Sequence, residues 1–266
     1  MSIEIESVIT IRTITDINEL SLVRQLEGLV WSEDDTVPVS HMVAVLKNGG
    51  LVLGAFHEEK LIGFQYSFPG FDGEKVFLCS HSLGIHPDYR KLGMGMKLKM
   101  AQKEWAVEKG YELITWTYDP LETVNGNLNL HKLGAICSTY MENVYGEMAD
   151  SMNVGLPSDR FLVEWWVKDV WHRNQIAVDR ISSAINVSVL DGVLVPDKMN
   201  LDILEDTIFI PVPSNFQEIK QKDFDLAVRW REFTGKVFTH YFKTGWIATD
   251  LVKISQQQYS YVLERK

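Results

Sequence analysis

The stretch IHPDYRKLGMG at residues 85–95 decides how the rest of this sequence is interpreted. The residues before it, 76–85, are rich in apolar side chains and predict a β-strand that ends before Pro87. A basic turn follows, and a helix is predicted to begin at Gly93. Because the first amides of a helix are unpaired and its dipole places partial positive charge there, this turn predicts a site for a diphosphate.

Two other phosphate-binding motifs do not fit the turn. A dinucleotide fingerprint needs a third glycine at the position that holds Leu98, and a Walker loop needs a Gly-Lys-Ser/Thr sequence that the chain lacks. Arg90 and Lys91 could each donate a charge-assisted hydrogen bond to phosphate, worth about 1.5–3 kcal/mol. The simpler interpretation, a glycine-capped turn between strand and helix on a basic surface, stays open.

The pattern Arg90-x-x-Gly93-x-Gly95, placed after a strand that ends in Ile-x-Pro, resembles the acyl-CoA signature of the GNAT N-acyltransferase superfamily. The resemblance implies a coenzyme A cradle and transfer of an acyl group, most simply acetyl, to an amine. Two further strings, WTYDPLE at 116–122 and GLPSDR at 155–160, resemble a poorly characterised branch of predicted GNAT acyltransferases. The implied fold is α/β (α+β), with a mixed, mostly antiparallel sheet flanked by helices.

The chain is expected to contain two parts. The order of strands and helices over roughly residues 8–168 is similar to that of the superfamily, so residues 1–168 are predicted to form the GNAT acyl-CoA-binding catalytic domain. Residues 169–266 are predicted to form a C-terminal α/β appendage packed on that domain, because a helix there carries an apolar stripe that includes Trp230 and Val237. No Gly/Ser/Pro-rich linker separates the two parts.

The composition argues against several classes of protein. A net charge of −10 disfavours nucleic acid as the main partner, while 45% hydrophobic and 23% charged residues are typical of a globular protein. The chain begins without a signal-peptide pattern and has no apolar run near the roughly 20 residues of a membrane helix, so we expect a cytoplasmic protein without membrane contact. Two cysteines are too few for a disulfide framework, and the histidines lack metal-binding spacing, so no metal is expected. The oligomeric state stays open, a homodimer included.

The resemblance also implies which residues hold the acyl-CoA. The strand edge from Leu83 to Ile85 would pair with the pantetheine arm, and the amide of Leu83 or Gly84 would donate to the oxyanion. Asn125 and Asn129, one turn apart on a predicted helix, either contact the pantetheine or adenosine side or simply face solvent. The implied cofactor-binding residues are Leu83, Gly84, Ile85, Arg90, Lys91, Leu92, Gly93, Met94, Gly95, Asn125 and Asn129.

The general base that many members of the superfamily use is missing from this sequence. The position of their glutamate holds Cys79 here, and His81 is the nearest titratable replacement. The structural alternative is a core histidine that is hydrogen-bonded to backbone. Glu122 and Asp119 are further candidates for the base, and their structural alternative is helix capping.

The sequence also offers candidate residues for the general acid and for the acceptor site. The slot of the usual tyrosine acid holds Leu130, and Tyr118 is the predicted substitute, with simple packing as its alternative. Trp116, Asp119 and Arg160 are the predicted substrate-binding residues, since a guanidinium suits a carboxylate on the acceptor or the acyl chain. An exposed ion pair between Asp159 and Arg160 is the alternative for the arginine.

The sequence therefore supports two hypotheses of different classes. The first is an N-acyltransferase (EC 2.3.1.-) that transfers an acyl group, most simply from acetyl-CoA, directly to an amine of a small molecule. Neither cysteine has an activating context, so no covalent acyl carrier is expected. The second is a non-catalytic acyl-CoA-binding sensor or scaffold, which the missing glutamate and tyrosine keep open.

Overall fold

The computed structural model describes residues 9–33, 36–148, 154–168 and 182–265 of the 266-residue chain. These residues form two compact units. The first holds the described residues up to Trp116 together with 166–168, and the second holds 117–165 and 182–265. The predicted mixed, mostly antiparallel α/β architecture is confirmed.

The first unit is a sheet with helices on both faces. Its strands lie side by side in chain order, each pair antiparallel except β4 with β5: β1 (Ile9–Thr13), β2 (Leu51–His57), β3 (Lys60–Phe71), β4 (Val76–Ile85) and β5 (Leu113–Tyr118). Helices α1 (Ile17–Val30) and α2 (Val39–Lys47) pack on one face around Phe64 and Tyr66. Helix α3 (Met94–Glu108) packs on the other face, around Ile62.

Local sequence explains where these helices begin. The Asp16 carboxylate accepts hydrogen bonds from the amides of Asn18 and Glu19, which makes it the N-cap that the sequence predicts for α1. A short 3₁₀ helix, Pro87–Tyr89, follows β4, and Gly93 begins α3 with a φ of 72°. The strand, turn and helix predicted around residues 85–95 are therefore all present.

The second unit is built on a second set of strands. Their order is β7 (Arg160–Trp166), β6 (Ile136–Met141), β12 (Trp246–Lys253), β13 (Gln258–Arg265), β11 (Thr207–Pro213) and β8 (Ser182–Ser183), and a separate hairpin joins β9 (Ile185–Leu190) to β10 (Val193–Met199). The helices are the single α turn α4 (Thr123–Gly126), which continues as a π-helix at Asn127–Lys132, then α5 (Phe216–Lys222) and α6 (Phe224–Lys243).

The C-terminal segment of the second unit packs on residues that precede position 168. Strand β12 bridges to β6 at Ala248 and Cys137, and helix α6 packs against β6. These contacts group residues 117–165 with 182–265, a different division from the predicted boundary at 168. The assignment of 1–168 and 169–266 as catalytic domain and appendage stays a prediction.

Among the described residues, none of the helices has the length and apolar character that crossing a bilayer requires.

Candidate functional site

The most distinctive feature of the first unit is the separation of two neighbouring strands. Strands β4 and β5 pair in parallel only at Leu78 with Ile114 and at Cys79 with Thr115. Beyond Cys79 no further pairing with β5 is present in the described part of the chain, although β4 continues to Ile85. The edge of β4 over residues 80–85 therefore has backbone groups available to an extended ligand arm.

The hydrogen-bond alternation of β3 and β4 decides which amides face this gap. The amide of His86 donates to the carbonyl of Ile62 at 2.9 Å, so Gly84 with Phe64 is the next hydrogen-bonded pair. Leu83 and Ile85 consequently direct their N–H and C=O groups away from β3, toward the gap. Of the two amides predicted as oxyanion donors, that of Leu83 is in the suitable orientation, and that of Gly84 is directed to β3.

The turn after β4 has two residues in the left-handed region. Lys91 has a φ of 69° and Gly93 a φ of 72°. The amide of Lys97 is the one that donates to the Gly93 carbonyl, and no side chain of the described residues caps this helix end, so the amides of residues 94–96 lie open. The side chains of Arg90 and Lys91 are exposed beside them. The turn thus has both the amide donors and the positive charge that the sequence predicts for a diphosphate site.

Apolar side chains hold this turn in place. Met94 is buried with Leu98 in the cluster between α3 and the sheet, and Leu92 packs against the same cluster. A Cβ atom at Gly93 would meet nothing within 4 Å, so it is the positive φ and not crowding that favours glycine there. In this arrangement Leu92 and Met94 offer backbone groups to a ligand, because their side chains are used for packing.

His81 lies at an irregularity of strand β4. Tyr66 pairs with Ser82 and Ser67 pairs with Ser80, which leaves His81 as the extra residue of a β-bulge. Its ring contacts the rings of Tyr66, at 5.8 Å between centroids, and Phe68, at 5.6 Å. His81 thus lies on the face covered by α1 and α2, as alternation from Cys79 requires, and the bulge brings Ser82 to that face as well.

The environment of His81 suits a proton acceptor. Desolvation, and to a smaller extent the neighbouring His41, lowers the pKa of the His81 imidazole below its ordinary value. At neutral pH the ring is therefore neutral and able to accept a proton. Its role as base stays a prediction. Cys79, at the position of the usual glutamate, has a thiol whose pKa is raised by burial, so it is no thiolate at neutral pH.

A carboxylate that the sequence analysis missed lies on the same face of β4. Glu27 of α1 is 1% exposed; its Oε1 accepts from the Ser82 hydroxyl at 3.2 Å and its Oε2 from the Val37 amide at 2.9 Å. Burial raises the pKa of the Glu27 carboxyl. Glu27 directly follows Leu26, within the apolar stripe that predicts α1, and that position is the signal that could have indicated a buried carboxylate.

Trp116, a predicted substrate-binding residue, is buried in the first unit. The Lys99 ammonium lies 3.4 Å from the centroid of its ring, and the same Nζ donates to Ser80 Oγ at 2.8 Å. Lys99 is itself 4% exposed, and the sequence analysis did not single it out.

The two carboxylates that follow β5 have partners within the second unit. Asp119 is buried and forms a bidentate ion pair with Arg231, and its Oδ1 also accepts from the Leu121 amide at 2.8 Å. Glu122 accepts from Gln217 Nε2 at 2.6 Å, and burial raises the pKa of its carboxyl. The Asp119 carboxylate is thus committed to protein partners, whereas Glu122 has the raised pKa expected of a carboxylic acid–base group.

The predicted acid and the two asparagines also lie in the second unit. The Tyr118 hydroxyl is 3.1 Å from that of Tyr261, and burial raises its pKa well above the ordinary value. Asn125 is exposed and Asn129 is buried, so they do not share a solvent-facing surface. The reason is the change from α to π geometry at Asn127, which alters the spacing of side chains around the axis.

Arg160 begins strand β7 and is 7% exposed. Its Nη1 donates to the Asp159 carbonyl at 2.9 Å, and its guanidinium lies 5.6 Å from the Tyr145 ring centroid. The Asp159 carboxylate accepts instead from the Tyr140 hydroxyl at 2.5 Å and the Asn143 amide at 2.9 Å. The alternative of an exposed Asp159–Arg160 ion pair is therefore wrong, because both residues are buried.

The described residues contain no group of three or more histidine, cysteine, aspartate or glutamate side chains placed to hold a metal ion.

Comparison with known proteins gives a family match within the first half of the chain. Residues 20–135 match the model of the Acetyltransferase (GNAT) family. YncA from Salmonella typhimurium, a putative acetyltransferase solved with acetyl-CoA, superposes with a TM-score of 0.50 at 18% identity, covering 64% of this chain and 99% of its own. No curated protein matches significantly.

Two further solved structures resemble parts of the chain. The ribosomal-protein-S18-alanine N-acetyltransferase from Escherichia coli has a TM-score of 0.49 and 13% identity, covering 63% of this chain and 98% of its own. An aminoglycoside acetyltransferase from an uncultured soil metagenomic sample, in complex with sisomicin, has a TM-score of 0.41 and 20% identity, covering 47% of this chain and 86% of its own.

Proposed function

Because residues 20–135 carry a domain of the GNAT acetyltransferase family, we propose that this protein is an acyl-CoA-dependent N-acyltransferase that acts on an amine of a small molecule. The observation that carries the proposal is the combination of separated strands and open turn in one unit. The edge of β4 beyond Cys79 suits the pantetheine arm, and the uncapped start of α3 suits the diphosphate.

Acyl transfer to an amine makes a C–N bond and breaks the C–S bond of the thioester. The amine must first lose a proton, since a free alkylamine with a pKa of about 10.4 is protonated at neutral pH. We assign proton removal to His81, whose lowered pKa keeps the imidazole neutral. The Leu83 amide would donate to the oxyanion of the tetrahedral intermediate, and such a donor typically contributes about 10²–10³ in rate. Tyr118 stays the proposed proton donor to the departing thiolate.

The acceptor is proposed to be a small molecule in the cytoplasm. The net charge of −10 accommodates a cationic or neutral amine better than nucleic acid. Arg160 is proposed to recognise a carboxylate on the acceptor. The acetyl-CoA held by YncA supports an acyl-CoA as the donor.

A non-catalytic acyl-CoA sensor or scaffold is the second candidate. The observation that favours it is the loss of both familiar proton-transfer residues, with Cys79 and Leu130 in their places. Such a protein would bind acyl-CoA with the same cradle and would lack turnover.

Release of free thiol from acetyl-CoA separates the two candidates. The assay uses the full chain with a panel of amines (polyamines, amino acids, aminoglycosides and short peptides) and a reaction without amine as the control. An N-acyltransferase releases thiol above that control with at least one amine class, and mass spectrometry finds the acylated amine. Tight binding of acyl-CoA without thiol release from any amine, with acetyl-CoA and with longer or charged acyl donors alike, would instead favour the sensor.

A further inference from the structure

A cluster of five polar side chains is buried between β3, β4 and α3 of the first unit. This Lys99 cluster comprises Gln65, Ser67, Ser80, Lys99 and Gln102. Each member is nine-tenths or more buried, with exposures of 5% or less. Neighbouring positions on the same face of α3 hold Met94 and Leu98, so the cluster interrupts an otherwise apolar interface. Buried lysine is rare in proteins unless it is paired.

The Lys99 amine lies at the point where β4 and β5 separate. The last pair that joins the two strands is Cys79 with Thr115, and the next residue on each strand is Ser80 and Trp116. Lys99 Nζ contacts both of these residues, by a 2.8 Å hydrogen bond to Ser80 Oγ and by its 3.4 Å approach to the Trp116 ring. A donor whose pantetheine arm follows the β4 edge from the turn toward Cys79 would bring its acyl end toward this amine.

Hydrogen bonds connect the side chains of the cluster, but some of its donors and acceptors have no partner among the described residues. Gln65 Nε2 donates to Ser67 at 2.5 Å and to Ser80 at 3.2 Å, and Gln102 Nε2 donates to Ser67 at 2.7 Å. Each serine oxygen therefore accepts two hydrogen bonds, and neither serine hydroxyl donates to an acceptor among the described residues. Gln65 Oε1 and Gln102 Oε1 are buried without a partner.

The amine itself also has donors to spare. An ammonium has three N–H donors, and Lys99 uses one of them in a hydrogen bond, to Ser80. No carboxylate of the described residues lies within ion-pair distance of Lys99 Nζ. Burial lowers the pKa of the Lys99 ammonium well below its ordinary value, and the nearby Cys79 thiol is the one titratable group that raises it. The site has surplus donors and lacks an anion.

We propose that the Lys99 cluster binds the terminal carboxylate of the acyl donor, so that the preferred donors are dicarboxylic acyl-CoA thioesters of the malonyl and succinyl class. This inference rests on the proposed function and specifies its donor. The carboxylate accepts hydrogen bonds from Lys99 and from the Ser80 hydroxyl and supplies the missing counter-ion. Rotation of either glutamine amide by half a turn exchanges its oxygen for a further donor.

The proposal predicts a proton uptake that a merely structural cluster would not show. Burial lowers the pKa of the Lys99 ammonium in the free protein, and an adjacent carboxylate raises it again because it favours the protonated form. Binding of succinyl-CoA is therefore expected to take up a proton at neutral pH, whereas binding of butyryl-CoA, with the same four-carbon acyl chain and no carboxylate, is not. Calorimetry in buffers of different ionisation enthalpy measures this uptake.

The test compares affinities for matched pairs of donors. The full chain is titrated with free coenzyme A, butyryl-CoA, succinyl-CoA, propionyl-CoA and malonyl-CoA. The expected result is that one or both dicarboxylic donors bind about tenfold or more tightly than their monocarboxylic partners. Lys99→Met should abolish this ratio and the proton uptake, with little change in affinity for coenzyme A. Lys103→Met, on the same helix, is the matched control and should keep both.

Each outcome distinguishes this inference from the function on which it rests. If coenzyme A itself does not bind, the proposed function fails and the inference fails with it. If coenzyme A binds, but within each pair the dicarboxylic donor binds no more tightly than its monocarboxylic partner, the inference alone is overturned. If Lys99→Met does not fold, the inference is still tested by two measurements on the natural protein: the ratio of affinities within each donor pair and the proton uptake on binding.

Discussion

His81 is the residue at which sequence and structure combine most closely in this protein. The sequence predicts it as the replacement for an absent glutamate, and the structure places its ring against those of Tyr66 and Phe68, at a β-bulge. Alternation from Cys79, which pairs with Phe68, places His81 on the face of Phe68 and Tyr66. The bulge brings the next residue, Ser82, to the same face, where its hydroxyl donates to Glu27.

We expect His81→Gln to lower turnover by about 10²–10⁴-fold while leaving coenzyme A affinity unchanged, because a general base acts in the transition state and not in donor binding. The pKa of His81 lies below its ordinary value, so the rate of the natural enzyme should be level near neutral pH and fall only on the acid side. Steady-state rates from pH 5 to 8, together with calorimetry, check both parts.

His41→Gln is the companion variant for this prediction. His41 lowers the pKa of His81, so its removal should move the acid limb of the rate profile to higher pH. Near-normal turnover in His81→Gln, with an unchanged pH profile, would return His81 to a structural role and favour Glu122 or Glu27 as the base.

The residues that the sequence did not reveal are the buried polar ones. Glu27 and Lys99 are ordinary helix-surface residues by type, and the spacing of apolar neighbours such as Leu26 and Leu98 does not say how wide the buried face is. Their burial depends on how closely α1 and α3 approach β4, which is a tertiary property. Gly93 in the turn at 90–95 is recognisable, in contrast, because its positive φ is a local property of the backbone.

At the scale of secondary structure, β4 and its partner β3 are the elements on which the site depends. Gly84 lies in the hydrogen-bonded pair with Phe64, and a Cβ atom at this position would come within 2.5 Å of the Phe64 ring. The glycine allows the buried ring to cover the strand.

Gly84→Ala should lower the free energy of unfolding by about 1–3 kcal/mol, because the added methyl group overpacks against Phe64. Urea denaturation measures the loss. The double variant Phe64→Leu/Gly84→Ala should lose less unfolding free energy than the two single variants lose in sum, since the smaller side chain at position 64 makes room for the methyl group. Strict additivity in this double-mutant cycle would show that the two positions do not interact.

The sequence predicts which segments are helices and strands better than it predicts the hydrogen-bond geometry within a helix. The strands and helices of the first unit follow from apolar periodicity and from caps such as Asp16. The predicted helix over 122–133 is instead one α turn followed by a π-helix, because the amide of Leu133 donates to Leu128 five residues earlier. A difference of one residue in hydrogen-bond spacing leaves no trace in a hydrophobic pattern.

At the scale of the whole chain, the C-terminal segment is joined to the residues that follow β5. Arg231 of α6 pairs with the buried Asp119, and the Tyr261 hydroxyl of β13 donates to the Pro120 carbonyl at 2.7 Å. Removal of one partner from a buried ion pair typically costs about 3–5 kcal/mol, since the other charge is left uncompensated. These contacts connect the C-terminal segment to the end of the family match at 135.

Truncation after residue 168 should therefore yield a protein that aggregates or lacks activity. The fragment would expose the apolar faces of β6 and the surroundings of Asp119 that residues 182–265 cover. Size-exclusion chromatography, thermal melting and thiol release check this expectation. A fragment 1–168 that stays soluble, melts cooperatively and transfers the acyl group at the full rate would show that the C-terminal segment is an independent domain.

The central claim, that coenzyme A binds with its diphosphate over residues 90–95, is tested most directly by calorimetry of Gly93→Asp. Gly110→Asp, at the other end of α3, is the matched control, because both glycines have positive φ (72° and 85°) and open space around them. Gly93→Asp places a negative charge where amides should meet phosphate, so we expect it to weaken coenzyme A binding by about 10–100-fold, while Gly110→Asp binds as the natural protein does. A folded Gly93→Asp variant with unchanged affinity would contradict the account.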